Sequence, residues 1–72
     1  MVEVIDLSRL KEGVVAEIVE SEETLFHLLG ITKGMSVIVL QKTVDWLVQV
    51  GYDQLLLNED TVKKIKVKTV NI

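Results

Sequence analysis

Residues 21–34, with the sequence SEETLFHLLGITKG, constrain the fold of this chain most strongly. Ser21 is a good N-cap, the two glutamates after it suit the positive end of a helix dipole, and the leucines and phenylalanine further on form an apolar side. Gly30 ends the segment, because glycine readily adopts the left-handed conformation that closes many helices. Gly34 then turns the chain toward a strand. The sequence therefore predicts one short helix in a chain that otherwise has the pattern of strands.

Most of the other apolar residues follow the two-residue period of strands. Strands are predicted around Val14–Ile18, Met35–Leu40, Trp46–Val50, Leu55–Leu57 and Ile65–Val67. The spacing of Leu7 and Leu10 predicts a single turn that ends at Gly13, and Asn58 is expected to cap another turn before the last strand. Both faces of residues 35–40 are apolar, which is typical of a central or bent strand. About five strands, one inserted helix and a short terminal helical turn predict a mainly β fold in the form of a small barrel.

The composition limits the class of protein. A chain of 72 residues fits one domain, residues 1–72, with a small core. With 49% hydrophobic residues and no cysteine, packing has to supply the stability, and a reducing cytoplasm is the compartment that fits best. No apolar run approaches the roughly 20 residues of a membrane helix, and the acids near the N-terminus do not suit a signal peptide. We therefore expect a soluble cytoplasmic domain.

Charge is distributed unevenly along the chain. Residues 1–36 contain seven acids and three bases, whereas residues 37–72 contain four acids and five bases. Four of those bases lie in the segment KKIKVK, residues 63–68. The net charge of −3 argues against a nucleic-acid binder, but the basic segment and the acidic first half could face different partners.

A series of apolar and glycine positions extends over nearly the whole chain. It comprises Leu7-x-x-Leu10-x-x-Gly13, Ala16-x-Ile18, Leu25 with Leu28-Leu29-Gly30-Ile31, Gly34-x-x-Val37-x-Val39, Val48-x-Val50-Gly51, Leu55-x-Leu57 and Ile65-x-Val67. This series resembles the FeoA-like family (ferrous iron transport protein A), small cytoplasmic SH3-like barrels of bacteria and archaea. The same domain occurs at the C-terminus of metal regulators of the diphtheria-toxin-repressor type. The chain departs from the family pattern in the shorter turn Thr43–Asp45 and at Val62, where relatives have a small residue.

The resemblance implies an SH3-like β-barrel with one inserted helix. It also implies a non-catalytic accessory or regulator of ferrous iron transport that acts on the cytoplasmic GTPase domain of a FeoB-type transporter. The alternative is a small barrel that binds nucleic acid, or a detached regulatory module of a metal-responsive repressor. Self-association into a homo-oligomer is a further expectation, which the sequence does not rank against these.

The surplus of large apolar side chains indicates contact with a partner. The residues expected to line a groove between helix and barrel are Leu25, Leu28, Leu29 and Leu47. Such a groove would receive an amphipathic or extended segment of the transporter. The competing interpretation is that the helix plugs an open end of the barrel, and for any single residue the plug is favoured over the groove. Both interpretations hold together if they apply to different residues.

Metal binding and catalysis have little support. Glu23 and His27 lie one helical turn apart, but two ligands fall short of the three or four that hold a transition metal. A solvated pair is the favoured interpretation, so we expect no intrinsic cofactor and at most weak association with Fe²⁺ or Mn²⁺. Ser8, Ser21 and Ser36 share one histidine, and no glycine-rich phosphate loop is present. We therefore expect no enzyme.

The basic segment contains the candidates for nucleic-acid binding, which are Lys63, Lys64, Lys66 and Lys68. Alternating lysines would project from one face of the last strand. No arginine or aromatic residue for base stacking lies near them in the sequence, and lysines on an outer strand also prevent aggregation between sheet edges. A solvated protective face is therefore favoured over an RNA or DNA site.

Overall fold

The computed structural model describes residues 3–21 and 29–69. These residues contain six strands: β1 (Val4–Asp6), β2 (Val15–Ser21), β3 (Ser36–Lys42), β4 (Trp46–Val50), β5 (Asp53–Leu57) and β6 (Ile65–Thr69). A 3₁₀ turn, Leu7–Arg9, follows β1, and the one-turn helix α1, Glu59–Val62, precedes β6. The predicted mainly β architecture and its terminal helical turn are confirmed. The predicted inserted helix, from its cap at Ser21 to its end at Gly30, falls mainly on residues 22–28, which lie outside the described residues.

The six strands form one antiparallel sheet in the order β1-β6-β2-β3-β4-β5. Strands β2 to β5 are neighbours in both sequence and space, whereas β6 is inserted between β1 and β2. Val67 is accordingly the partner of Ile5 on one side and of Ile18 on the other. The register shifts between Ile18 and Glu20 in β2, and between Val39 and Gln41 in β3. Such bulges bend and twist a strand, so the sheet can curve around a single core.

The core is built from alternate residues of the strands and from both short turns. Its fully or nearly fully buried members are Leu7, Leu10, Ala16, Ile18, Ile31, Val37, Val39, Val48, Val50, Leu57, Val62, Ile65 and Val67. Four half-buried side chains pack against them, those of Ile5, Met35, Trp46 and Leu55. Helix α1 contacts the 3₁₀ turn, so buried leucine and valine side chains from these turns close the core where the strands leave it open.

Two predicted features of the segment around residues 21–31 can be compared with the structure. Gly30 has a φ of 82°, the left-handed conformation expected at the end of a helix, and Ile31 after it is fully buried. Ser21 is the last residue of β2, and its hydroxyl donates a hydrogen bond to the carbonyl oxygen of Ile31 at 3.1 Å. This bond joins the end of β2 to the chain that leads into β3. No helix in the described part of the chain is long and apolar enough to cross a membrane.

Candidate functional site

An exposed apolar surface lies on the outer face of β3, β4 and β5. The alternation of β4 directs Val48 and Val50 into the core, so Leu47 lies on the opposite face. Its direct partner on β5 is Leu56, and side chains of directly opposed residues in antiparallel strands have Cβ atoms about 4.5–5.5 Å apart. Leu56 is 66% exposed, and Leu47 is half-buried.

A third leucine extends this surface onto β3. Gln41 is the β3 partner of Leu47, and Leu40 precedes it in the bulge with 37% of its surface exposed. We call the three residues Leu40, Leu47 and Leu56 the outer leucine patch. A cluster of exposed large apolar side chains on neighbouring strands is a feature of protein interaction surfaces, whereas single exposed leucines need no explanation.

The structure places the predicted partner-binding residues as follows. Leu47 belongs to the outer leucine patch, and Leu29 is 40% exposed in the turn before Ile31. Leu25 and Leu28 lie outside the described residues, so the predicted groove between helix and barrel stays a prediction. Leu56 was not among the predicted residues, although its position between two inward-facing leucines of a strand was a signal that it faces outward.

The basic segment meets acidic residues on both neighbouring strands. Lys68 forms an ion pair with Glu17 of β2, with Nζ and Oε2 3.3 Å apart. Lys66 lies opposite Glu20 of β2 on one side and opposite Asp6 of β1 on the other. The acidic excess of the first half of the chain and the basic excess of the second half therefore meet within one sheet, which reduces the attraction of these lysines for phosphate.

The two remaining lysines of the segment lie in the turn after α1. Lys63 forms an ion pair with Glu59 one helical turn earlier, with Nζ and Oε1 3.4 Å apart, and Lys64 also takes part in an interaction. The prediction that the lysines protect a sheet edge is wrong. Strand β6 has β1 on one side and β2 on the other, so its lysines belong to an interior strand of the sheet.

Only some of the candidate residues for metal binding and catalysis lie in the described part of the chain. Glu23 and His27 lie outside the described residues. Within residues 3–21 and 29–69, no three histidine, cysteine, aspartate or glutamate side chains come close enough together to hold a metal ion. The hydroxyl of Ser8 donates a hydrogen bond to Asp6, and that of Ser21 donates to a backbone carbonyl, so both have local structural roles.

No protein-family model and no curated protein sequence matches the chain. Several solved structures do match. The crystal structure of the iron uptake regulatory protein FeoA superposes with a TM-score of 0.84 at 18% sequence identity, covering 94% of this chain and 99% of that one. The crystal structure of T. acidophilum IdeR superposes with a TM-score of 0.81 at 16% identity, covering 93% of this chain and 34% of that one.

A third similar structure is the solution structure of iron(II) transport protein A from Clostridium thermocellum. Its TM-score is 0.77 at 26% identity, and the match covers 92% of this chain and 46% of that one. The chain thus matches FeoA over nearly the full length of both and corresponds to parts of the two longer chains. It has the SH3-like fold of the FeoA-like proteins, which confirms the resemblance seen in its sequence.

Proposed function

We propose that this protein is a non-catalytic, cytoplasmic accessory of ferrous iron transport that binds the cytoplasmic GTPase domain of a FeoB-type transporter. Two proteins with the same fold support the iron-transport role: the iron uptake regulatory protein FeoA and iron(II) transport protein A. The observation that carries the binding role is the outer leucine patch, where the 66% exposed Leu56 lies directly opposite Leu47.

Binding through this patch would act by removing apolar surface from water. Each square ångström of apolar surface buried contributes about 25 cal/mol, and the exposed parts of three leucines form the centre of such a contact. Leu29, which is also exposed, and Leu25 and Leu28 stay candidate contact residues. The protein can shift a nucleotide-dependent equilibrium of the transporter only as far as it binds the two states with different affinity.

The proposal requires no tightly bound metal. Glu23 and His27 stay the candidates for weak association with Fe²⁺ or Mn²⁺, because they are the one pair with ligand chemistry and helical spacing. Anaerobic calorimetry of the wild type and of His27→Ala measures this directly. A micromolar affinity that is lost in the variant would contradict the proposal on this point.

The test is an amide NMR titration of the isotope-labelled protein with the soluble GTPase domain in each nucleotide state. We expect chemical shift changes around the outer leucine patch, and an affinity at least about tenfold lower for Leu56→Asp, since a carboxylate would be buried in an apolar contact. The matched control is Val44→Asp, which introduces the same group at a side chain that is 92% exposed in the loop between β3 and β4, outside the patch.

The outcome separates the proposal from its alternatives. Equal loss of affinity in Val44→Asp and Leu56→Asp would show that general charge, and not the patch, controls binding. No response to the GTPase domain together with shifts at Lys63, Lys64, Lys66 and Lys68 on adding an oligonucleotide would favour the nucleic-acid alternative. The ion pair and acidic neighbours of Lys66 and Lys68 are the reason that we favour the transporter.

A further inference from the structure

The two edge strands of the sheet, β1 and β5, differ in how well they are protected from pairing with a strand of another molecule. Strand β1 has three residues, and short edge strands are one common protection against edge-to-edge pairing. Strand β5 has five residues and pairs with β4 from Asp53 to Leu57 without a register shift. It contains no lysine, proline or bulge, and its one charged residue, Asp53, lies at its end, so the strand has few of the usual protective devices. Within the described residues, no strand pairs with its other edge.

We propose that β5 pairs with β5 of a second copy of this chain, antiparallel about a two-fold axis at Leu55. We favour a second copy of the chain over another protein as the partner, because two DQLLL strands can pair in this register without unfavourable contacts between charges. Its single charge, Asp53, lies opposite Leu57 of the second copy, so no like charges face each other along the strand. One symmetric contact also covers both free β5 edges at once, whereas a strand from another protein would leave a new edge exposed.

The directions of the β5 side chains are compatible with this register. Gln54 and Leu56 both lie on the outer face, because Leu55 and Leu57 face the core. Gln54 would therefore lie opposite Leu56 of the second copy, and the two copies of Leu56 would be diagonal neighbours, a distance that long side chains can bridge. The contact would bury part of the most exposed leucine of the described chain.

The pairing is expected to be weak. A five-residue strand pair forms on the order of four to six backbone hydrogen bonds, and the interface is smaller than those of stable dimers. We therefore expect dissociation between micromolar and millimolar concentration. The proposal does not depend on the proposed iron-transport role, because the edge of β5 is distinct from Leu40 and Leu47, although both surfaces include Leu56.

The test is sedimentation equilibrium of the wild type and of two double variants across this concentration range. Gln54→Lys with Leu56→Lys puts two lysines on the free edge, where they repel those of the second copy. Leu47→Lys with Gln49→Lys makes the same residue changes at their direct partners on β4, one strand away from the edge. We expect the edge variant to weaken self-association at least about tenfold and the β4 variant to retain it.

A measurement on the unmodified protein covers the case in which a variant does not fold. Amide hydrogen exchange of the wild type should slow at β5, and not at β1, as protein concentration rises. A wild type that stays monomeric at millimolar concentration would overturn the proposal. So would an edge variant, folded by circular dichroism, that associates as tightly as the wild type. Loss of transporter binding by Leu47→Lys with Gln49→Lys, with self-association kept, would show that the two surfaces act independently.

Discussion

Gly51 forms the turn between β4 and β5 in a conformation that few other residues adopt. Pairing of Val50 with Asp53 leaves Gly51 and Tyr52 as a two-residue hairpin loop. Gly51 has a φ of 61°, and no described residue other than glycine has a positive φ, which is the pattern of a type II′ turn. A Cβ atom at Gly51 would also lie 2.7 Å from the Cε of Met35. The backbone conformation therefore favours glycine here, and a larger residue would also require the Met35 side chain to move.

Gly51→Ala should lower the free energy of unfolding by about 1–3 kcal/mol, because alanine is strained at this positive φ, whereas the terminal methyl of Met35 can move aside at little cost. Urea denaturation followed by circular dichroism measures the change. Tyr52→Ala is the control at the neighbouring turn position, where the side chain is fully exposed, and should change stability by less than about 0.5 kcal/mol. Equal effects of the two changes would mean that the turn tolerates an L-residue at position 51.

At the scale of elements, α1 shows how a very short helix is held in place. Four residues are too few for an isolated helix, so its stability comes from its ends and its packing. The side-chain oxygen of Asn58 accepts a hydrogen bond from the backbone N–H of Thr61 at 2.8 Å, and Val62 is fully buried. The cap predicted from the sequence at Asn58 is confirmed. It sets the direction in which the chain enters β6.

Asn58→Ala should lower the free energy of unfolding by about 1 kcal/mol, since the N–H of Thr61 loses its partner. A loss of this size corresponds to a fall in melting temperature of about 4–8 °C for a domain of this length. Asn58→Ser keeps a capping oxygen and should lose much less. If both variants melted at the same temperature, the cap would contribute nothing, and the packing of Val62 alone would hold α1.

At the same scale, the sequence predicted the positions of strands and turns better than it predicted which strands pair in the sheet. Alternation and glycines located the strands from Val15 onward, and β3 lies between β2 and β4 and contains a bulge, as expected of a central or bent strand. The place of β6 between β1 and β2 has no local signature, because strand pairs distant in sequence are fixed by packing of the whole sheet. That is why the lysines were expected at an edge, whereas the opposition of Leu47 and Leu56 belongs to a local hairpin with a two-residue loop and was within reach of the sequence.

At the scale of the whole molecule, the sheet brings together charges that the sequence separates. The acidic first half supplies Glu17 and Glu20 on β2, and these lie opposite Lys68 and Lys66 on β6. Exposed pairs of this kind contribute little to stability, typically below about 1 kcal/mol each. Their main effect is on the electrostatic field, since a basic strand flanked by acids attracts a polyanion less than the same strand alone.

We therefore expect no submicromolar binding of oligonucleotides by the wild type. Glu17→Lys with Glu20→Lys removes the acidic neighbours on β2 and should create measurable binding, with a dependence on salt that is steeper by roughly 1–2 in log–log slope. Fluorescence anisotropy with a labelled oligonucleotide at several salt concentrations measures both. Salt-dependent submicromolar binding by the wild type would contradict this expectation. The lysines of residues 63–68 would then be a candidate nucleic-acid site again.

The insertion of β6 between β1 and β2 also determines when the chain can fold. Ribosomes make β1 and β2 before β6, and the residue that pairs with both Ile5 and Ile18 is Val67 of β6. Until β6 is made, β1 and β2 have no shared neighbour in the sheet. Because long-range pairing of this kind is slow to form, the sheet is completed only after translation has passed its last strand.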